Sequence, residues 1–317
     1  MATRGPSRQG KCREKGAYHD HQLPLGLTRN RDGGLTMEWK GRRGSRNIED
    51  RRSAGVGRAG GIGGIGAIVL LLAGWYFGID VSSFVSGGGA GGGSGSVEMT
   101  QEDVAAGEFV SVTLADTEEV WAKVFKEQLG RAYTPAVLVL FKGATQSPCG
   151  SASGASGPFY CPGDKKAYLD TEFFATLESR LGAKGDFAAA YVVAHEIGHH
   201  VQDELGILAK ANQVRQSVSE EESNAVSVRV ELQADCFSGI WAREVAQQFG
   251  TIDRADLEEA INAARQIGDD TLQRNAGQRP MPHTFTHGTS EQRSEWFLRG
   301  LQSGQMAQCD TFSTNDL

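Results

Sequence analysis

Residues 194–202 read AHEIGHHVQ and place His195, Glu196, His199 and His200 within six positions. On a helix, positions four apart project from one face a turn apart, so His195 and His199 can share one ion. Glu196 opens toward the same side, where it can reach an activated water. The competing reading is an ordinary helix face, because so short a pattern also occurs by chance. The preceding FAAAYVVA buries the helix, and a buried polar cluster needs partners. His200 is turned about 100° from His199 on the helix and reads as a packing or hydrogen-bonding residue. Gly198 reads as a site of close approach by a neighbouring backbone.

A third ligand has to come from another element. Residues 229–237, RVELQADCF, carry Glu231 and Asp235 four apart. A solvated face is the alternative, but Val230, Leu232, Ala234 and Phe237 interleave with the carboxylates. Glu231 on the metal and Asp235 on a ligand imidazole would use both, the second fixing the ring's tautomer. Two histidines and a glutamate leave a fourth position open, the arrangement of a catalytic rather than a structural zinc, with one Zn2+ per chain. Hydrolysis also builds an oxyanion. His287, in FTHGTSEQR, is the candidate donor, with His283 as alternative and a surface loop histidine as the bland reading. Arg293 could add a second positive charge or orient that loop, and is assigned with Asp235 to the groups behind the ligands.

The N-terminal third has a different character. Residues 1–60 hold 14 Lys+Arg against 6 Asp+Glu, a net +8, whereas the whole chain is −7. Residues 62–79, IGGIGAIVLLLAGWYFGI, are uncharged over a length that crosses a bilayer as a tilted helix. Arg42, Arg43, Arg46, Arg51, Arg52 and Arg58 precede it, and the next basic residue is Lys123. That asymmetry predicts a cytoplasmic N-terminus and an outer body. It explains the basic arm by topology, without nucleic acid. A cleaved signal peptide competes, with small residues at 86–93, but the long basic region and Trp75 and Tyr76 favour an uncleaved anchor. Residues 1–36 lack a hydrophobic period and read as disordered, with the natural start expected at Met37. The expected organisation is a basic cytoplasmic segment at 37–60, a membrane anchor at 61–80, a Gly/Ser-rich linker at 81–100 and a catalytic domain at 101–317.

Four cysteines, Cys149, Cys161, Cys236 and Cys309, fall on the expected outer side, where disulfides persist. Three pairings are possible. A local bridge between Cys149 and Cys161 would restrain the Gly/Ser loop between them and leave Cys236 for Cys309. A cysteine zinc cluster lacks the CxxC spacing. The periodicity predicts a helix over 116–129, strands at 136–141 and 167–170, and a long helix from an Asp186 cap to Gly206. Further helices are expected at about 219–249, 253–267 and 291–302. The class is α+β, mainly helical.

The sequence resembles the bacterial YpfJ-type neutral zinc metallopeptidases from Met37 to the C-terminus. The resemblance rests on MEWKGRRGSRNIEDRR, the glycine-rich apolar span, GPFYCPGDKKAYLD, AHEIGHHVQ, RVELQADCFSGIWA and FTHGTSEQRSEWFLRG. It implies a zincin-like domain behind a single transmembrane helix, with His195, His199 and Glu231 as ligands, Glu196 as base and Asp235 behind a ligand. HtpX-like and prenyl-protein proteases carry a late histidine and arginine six apart, which is similar to His287 and Arg293. The implied activity is hydrolysis of a peptide or protein substrate at the outer face of a bacterial inner membrane. A zinc-stabilised docking module and a zinc amidase acting on cell-wall peptides are the alternatives.

Overall fold

The computed structural model describes residues 37–53, 99–153, 157–179, 182–183, 185–314 and 317. The expected disordered N-terminus, the 61–80 anchor and nearly all of the Gly/Ser linker lie outside the described residues. Among the described residues no helix is long and apolar enough to cross a membrane.

The first long helix, α1 (Gln101–Val124), starts at a capping box. The Thr100 side chain accepts from Asp103 N–H and the Asp103 carboxylate takes the Thr100 N–H. The helix runs into a π turn, Phe125–Leu129, and stops at Gly130, whose φ of 65° suits a residue without Cβ. It thus begins well before Asp116, where the sequence pattern placed its start. Asp116 lies buried in mid-helix and takes both ends of the Arg42 guanidinium, at 2.8 and 2.6 Å.

A four-stranded sheet follows, in the order β1 (Ile48–Asp50), β2 (Val137–Phe141), β6 (Lys166–Asp170), β5 (Phe159–Cys161). β2 pairs in parallel with β1 and with β6, and β5 is antiparallel to β6. The unbroken apolar run VLVLF suits a strand covered on both faces. A hairpin of β3 (Ala144–Ser147) and β4 (Gly150–Ser153) sits beside it. Cys149, in the turn of that hairpin, bonds to Cys161 on β5.

The remaining elements are helical: α2 (Glu172–Ser179), α3 (Asp186–Glu204), α4 (Ile207–Arg215), α5 (Glu220–Gln248), α6 (Arg254–Gln266), α7 (Asp269–Asn275) and α8 (Ser290–Ser303). The mainly helical α+β class is as the sequence indicates. Gly185, at φ 99°, occupies the cap position of α3, and Asp186 is the first helical residue, accepting from the Trp39 indole at 3.0 Å. α5 and α8 open on capping boxes, Ser219 with Glu222 and Thr289 with Gln292. These two helices touch backbone to backbone. A Cβ on Gly300 would strike the Cys236 carbonyl, and one on Gly239 would strike the Phe297 carbonyl. Cys236 bonds to Cys309 just beyond α8, so the tail is tied to α5 at the same crossing. Phe187 on α3 stacks on Trp241 of α5 at 5.5 Å, and Trp121 of α1 meets Phe237 edge-on at 5.6 Å. These contacts make one core around α3 and α5.

The arm corrects an expectation. Segment 37–60 was expected to stand apart from the catalytic domain, yet its described part, 37–53, is built into it. Met37 is in the core. Glu38 N–H donates to the Thr251 carbonyl, Ser45 N–H to the Ser111 carbonyl, and Arg51 N–H to the Leu140 carbonyl. The buried Arg52 guanidinium binds Asp50 and the Asp103 carbonyl. Arg42, Arg43, Arg51 and Arg52 each pair with a carboxylate. Four of the arginines that read as a topology signal therefore carry ion pairs in the fold, those of Arg42 and Arg52 largely buried on the arginine or its partner and that of Arg43 on the surface.

Candidate metal centre

α3 and α5 cross where Gly198 faces Ala234. A Cβ on Gly198 would lie 3.0 Å from the Ala234 carbonyl oxygen and 3.2 Å from its Cα. This close approach brings Glu231 against the two histidines. His195 Nε2 lies 3.1 Å from Glu231 Oε2, and His199 Nε2 lies 3.4 Å from Glu231 Oε1. One ligand atom from each of the three residues falls within 4.8 Å of the others.

That spacing fits a zinc ion. Nitrogen and oxygen ligands about 2.0–2.1 Å from a tetrahedral centre stand about 3.3 Å from one another. The rings are also held with the correct atoms inward. His195 Nδ1 faces Asp235 Oδ1 at 2.9 Å, and His199 Nδ1 faces Gln202 Oε1 at 2.8 Å. Both acceptors leave Nε2 directed toward Glu231. The neighbouring Glu196 is buried, and its Oε2 has no hydrogen-bond partner among the described residues. An orphaned buried carboxylate oxygen is costly unless something else completes it.

Electrostatics follow from this crowding. Burial raises the Glu196 carboxyl above the ordinary range, and the neighbouring histidines only partly offset it. Burial also acts on Glu231, but His199 and His195 reverse it and hold that carboxyl well below the usual range. Burial works against a charged His195. Asp235 and Glu231 overcome it and push the imidazole up to about 10. Asp235, itself raised by burial, is brought below its ordinary value by Arg293 and His195.

Arg293 lies behind Asp235, in the outer position expected of it, and serves neither as a second positive group at the oxyanion nor as a support of the His287 loop. It is buried, donates through Nε to Asp235 Oδ2 at 2.8 Å and through Nη2 to Asp235 Oδ1 at 3.0 Å, and so supports His195 through Asp235. Tyr191 donates to the same Asp235 Oδ1 at 2.5 Å. His287 is set by Asp269, whose Oδ2 accepts from its backbone N–H at 2.6 Å and whose Oδ1 lies 3.2 Å from Nδ1. Its ring is 45 % exposed. Partial burial lowers its pKa, while the Asp269 contact and the Glu231 charge raise it above the ordinary value. His283 is engaged through its carbonyl by Asn224. His200 lies between Tyr160 and the Thr134 carbonyl, 3.0 and 2.7 Å away, and makes no approach to Glu231.

Sequence reasoning missed Tyr191, Gln202, Gln233 and Asp269. Tyr191 and Gln202 were within reach of it, one turn before His195 and one turn after His199 on the same helix. Asp269 offered no signal, because only the fold of α7 brings it to the His287 loop.

The family model described as "Putative neutral zinc metallopeptidase" matches residues 37–312. The chain is 44% identical over 285 residues to a protein of Escherichia coli strain K12 named "Uncharacterized protein YpfJ", covering 87% of this chain and 99% of that one. It is 42% identical over 222 residues to "Uncharacterized protein Rv2575" of Mycobacterium tuberculosis, covering 67% of this chain and 74% of that one. No solved structure matches the chain significantly. With the match running from the arm through α8, the chain belongs to the neutral zinc metallopeptidase family.

Proposed function

We propose that the protein is a membrane-anchored zinc endopeptidase, with His195, His199 and Glu231 as the ligands of one ion. The observation that carries this reading is the 3.1 and 3.4 Å spacing of Glu231 from two imidazole nitrogens, beside a glutamate with an unpartnered oxygen. Zinc in such a site supplies Lewis acidity that activates water and polarises a carbonyl. Glu196 takes the proton of the attacking water and carries it to the leaving amine. Its buried Oε2, unpartnered among the described residues, is free to accept and return that proton. His287, held by Asp269, donates to the oxyanion that develops on the scissile carbonyl. Asp235, with Arg293 and Tyr191 behind it, holds the His195 ring.

The reading extends to location. Two disulfides favour an oxidising compartment for the body. The arm packs on that body through main-chain bonds that cannot form across a bilayer. We therefore revise the cytoplasmic placing of residues 37–53 and put arm and body together on the outer side, with residues 61–80 as the membrane attachment.

The test is zinc content and peptide-library cleavage by the full chain in detergent, beside Glu196→Gln. Zinc in both and cleavage by the unmutated protein alone is the expected result. Zinc in both without cleavage by either would replace the peptidase with a docking module or with an amidase of narrow cell-wall substrate. Absence of zinc from both would remove the metal centre.

A further inference from the structure

His199 is the only one of the two imidazoles at the centre whose Nδ1 faces a neutral partner, and the orientation of that partner is fixed. Gln202 Nε2 donates to the Val230 carbonyl at 2.8 Å and to Gln233 Oε1 at 3.0 Å. A main-chain carbonyl can only accept, so the amide nitrogen must lie on that side and Oε1 must face the ring. Gln233 is fixed by the same logic. Its Nε2 donates to the Cys309 carbonyl at 2.9 Å, which leaves its Oε1 for Gln202. Gln202 Oε1, 2.8 Å from Nδ1, can only accept, so Nδ1 bears a hydrogen and Nε2 is the ring atom left to face Glu231 and an ion. Both amides are buried, and Cys309 is bonded to Cys236 on α5.

We propose that Gln202 and Gln233 form a neutral relay that locks the His199 ring in its metal-ready tautomer and ties it to the Cys236–Cys309 cross-link. Gln202 and Gln233 are positioning residues that act through His199. A carboxylate at 202 would also fix the ring, but it would add a negative charge beside Glu196, Glu231 and Asp235. It would also set oxygen against the Val230 carbonyl. The amide does the same work without charge. This proposal rests on the metal-centre reading above.

The test has two readouts on the full chain. One is the His199 tautomer in the metal-free protein, from long-range proton–nitrogen NMR. The other is zinc affinity by chelator competition. Gln202→Met keeps the volume and removes the acceptor. The expected results are a ring no longer confined to Nδ1–H and a zinc affinity about 10- to 100-fold weaker, the usual scale for loss of a ligand's outer partner. Gln233→Met leaves Gln202 its Val230 contact and should weaken zinc less. The paired change Cys236→Ser with Cys309→Ser should weaken zinc in the native background and add little to Gln233→Met. An unchanged ring signature in Gln202→Met overturns the tautomer lock. Fully additive losses from Gln233→Met and the cysteine pair overturn the tie to the cross-link. Should Gln202→Met fail to fold, Gln202→Asn, which withdraws the acceptor from Nδ1 by one methylene, gives the same ring readout and overturns the lock if the ring is unchanged, while the Gln233→Met cycle decides the tie. The tautomer is read without metal, so a locked ring in a protein that never binds zinc would defeat the metal reading and leave the lock standing.

Discussion

Gly198 meets Ala234 so closely that a Cβ at 198 would stand 3.0 Å from the Ala234 carbonyl oxygen. Those atoms are main chain and cannot rotate aside, so Gly198→Ala has to push α3 and α5 apart. The gaps of 3.1 and 3.4 Å between Glu231 and the histidines depend on that crossing. Alanine in place of a helix glycine returns about 1 kcal/mol of helix propensity, which offsets much of the strain. The expected outcome is a small change in melting temperature with a clear loss of zinc affinity. Chelator competition beside thermal melts checks it, and native zinc affinity in Gly198→Ala would count against the crossing as the determinant.

Arg293 and Asp235 are both buried, at 2 % and 0 % side-chain exposure, and the guanidinium binds both carboxylate oxygens. Breaking a buried pair costs about 3–5 kcal/mol, and the lower end applies here because Tyr191 and His195 still face Asp235. Arg293→Met should lose stability on that scale in urea denaturation. Arg293→Lys keeps the charge but not the forked geometry and should fall between. Equal stability of all three proteins would mean that Tyr191 and His195 alone satisfy Asp235.

How much of this was legible beforehand divides by range. His195, His199, Glu231 and Asp235 were readable because helical spacing puts each pair on one face, and only helix crossing had to be supplied. The placing of α3, α5 and α8 followed from periodicity, whereas the cap expected at Asp186 falls one residue earlier, on Gly185. Arg293 was expected behind the ligands, but its partner was not legible, since nothing local reveals that Asp235 lies across from it. The arm was misread for a physical reason. The partners of Arg42 and Arg43, Asp116 and Glu119, lie more than seventy residues away, so those two arginines looked free. β1 has three residues, too few for a period, and its register comes from β2.

Glu259 gives a pH dependence away from the metal. Burial, followed by the charges of Asp256, Asp186 and Asp253, raises its carboxyl to about 7, against a lowering contribution from the Phe187 N–H that it accepts. An unfolded glutamate titrates near about 4.3. The folded state therefore holds the proton more tightly. The stabilising contribution is complete below about pH 4.3 and is lost as pH rises through about 7. Glu259→Gln removes that loss, so its stability relative to the native protein should rise between pH 5 and pH 8. Urea denaturation of both proteins at the two pH values checks this, and a difference independent of pH would contradict it.

The docking of the arm predicts a cross-link. A Cβ on Gly44 would lie 3.3 Å from Ser111 Cβ, close to the 3.5–4.5 Å that disulfides span. Ser45 N–H bonds the Ser111 carbonyl at 2.9 Å and holds the two stretches in register. Gly44→Cys with Ser111→Cys, made in the full chain with Cys12→Ser, should form a disulfide within one chain in native membranes. Mass spectrometry would find the joined peptides. A parallel experiment places single cysteines at the exposed positions Lys40 and Lys126 and treats intact cells with an impermeant maleimide. Because no bilayer can separate two surfaces that share main-chain hydrogen bonds, both should react. Labelling of Lys126→Cys alone, with no cross-link between 44 and 111, would return the arm to the cytoplasm.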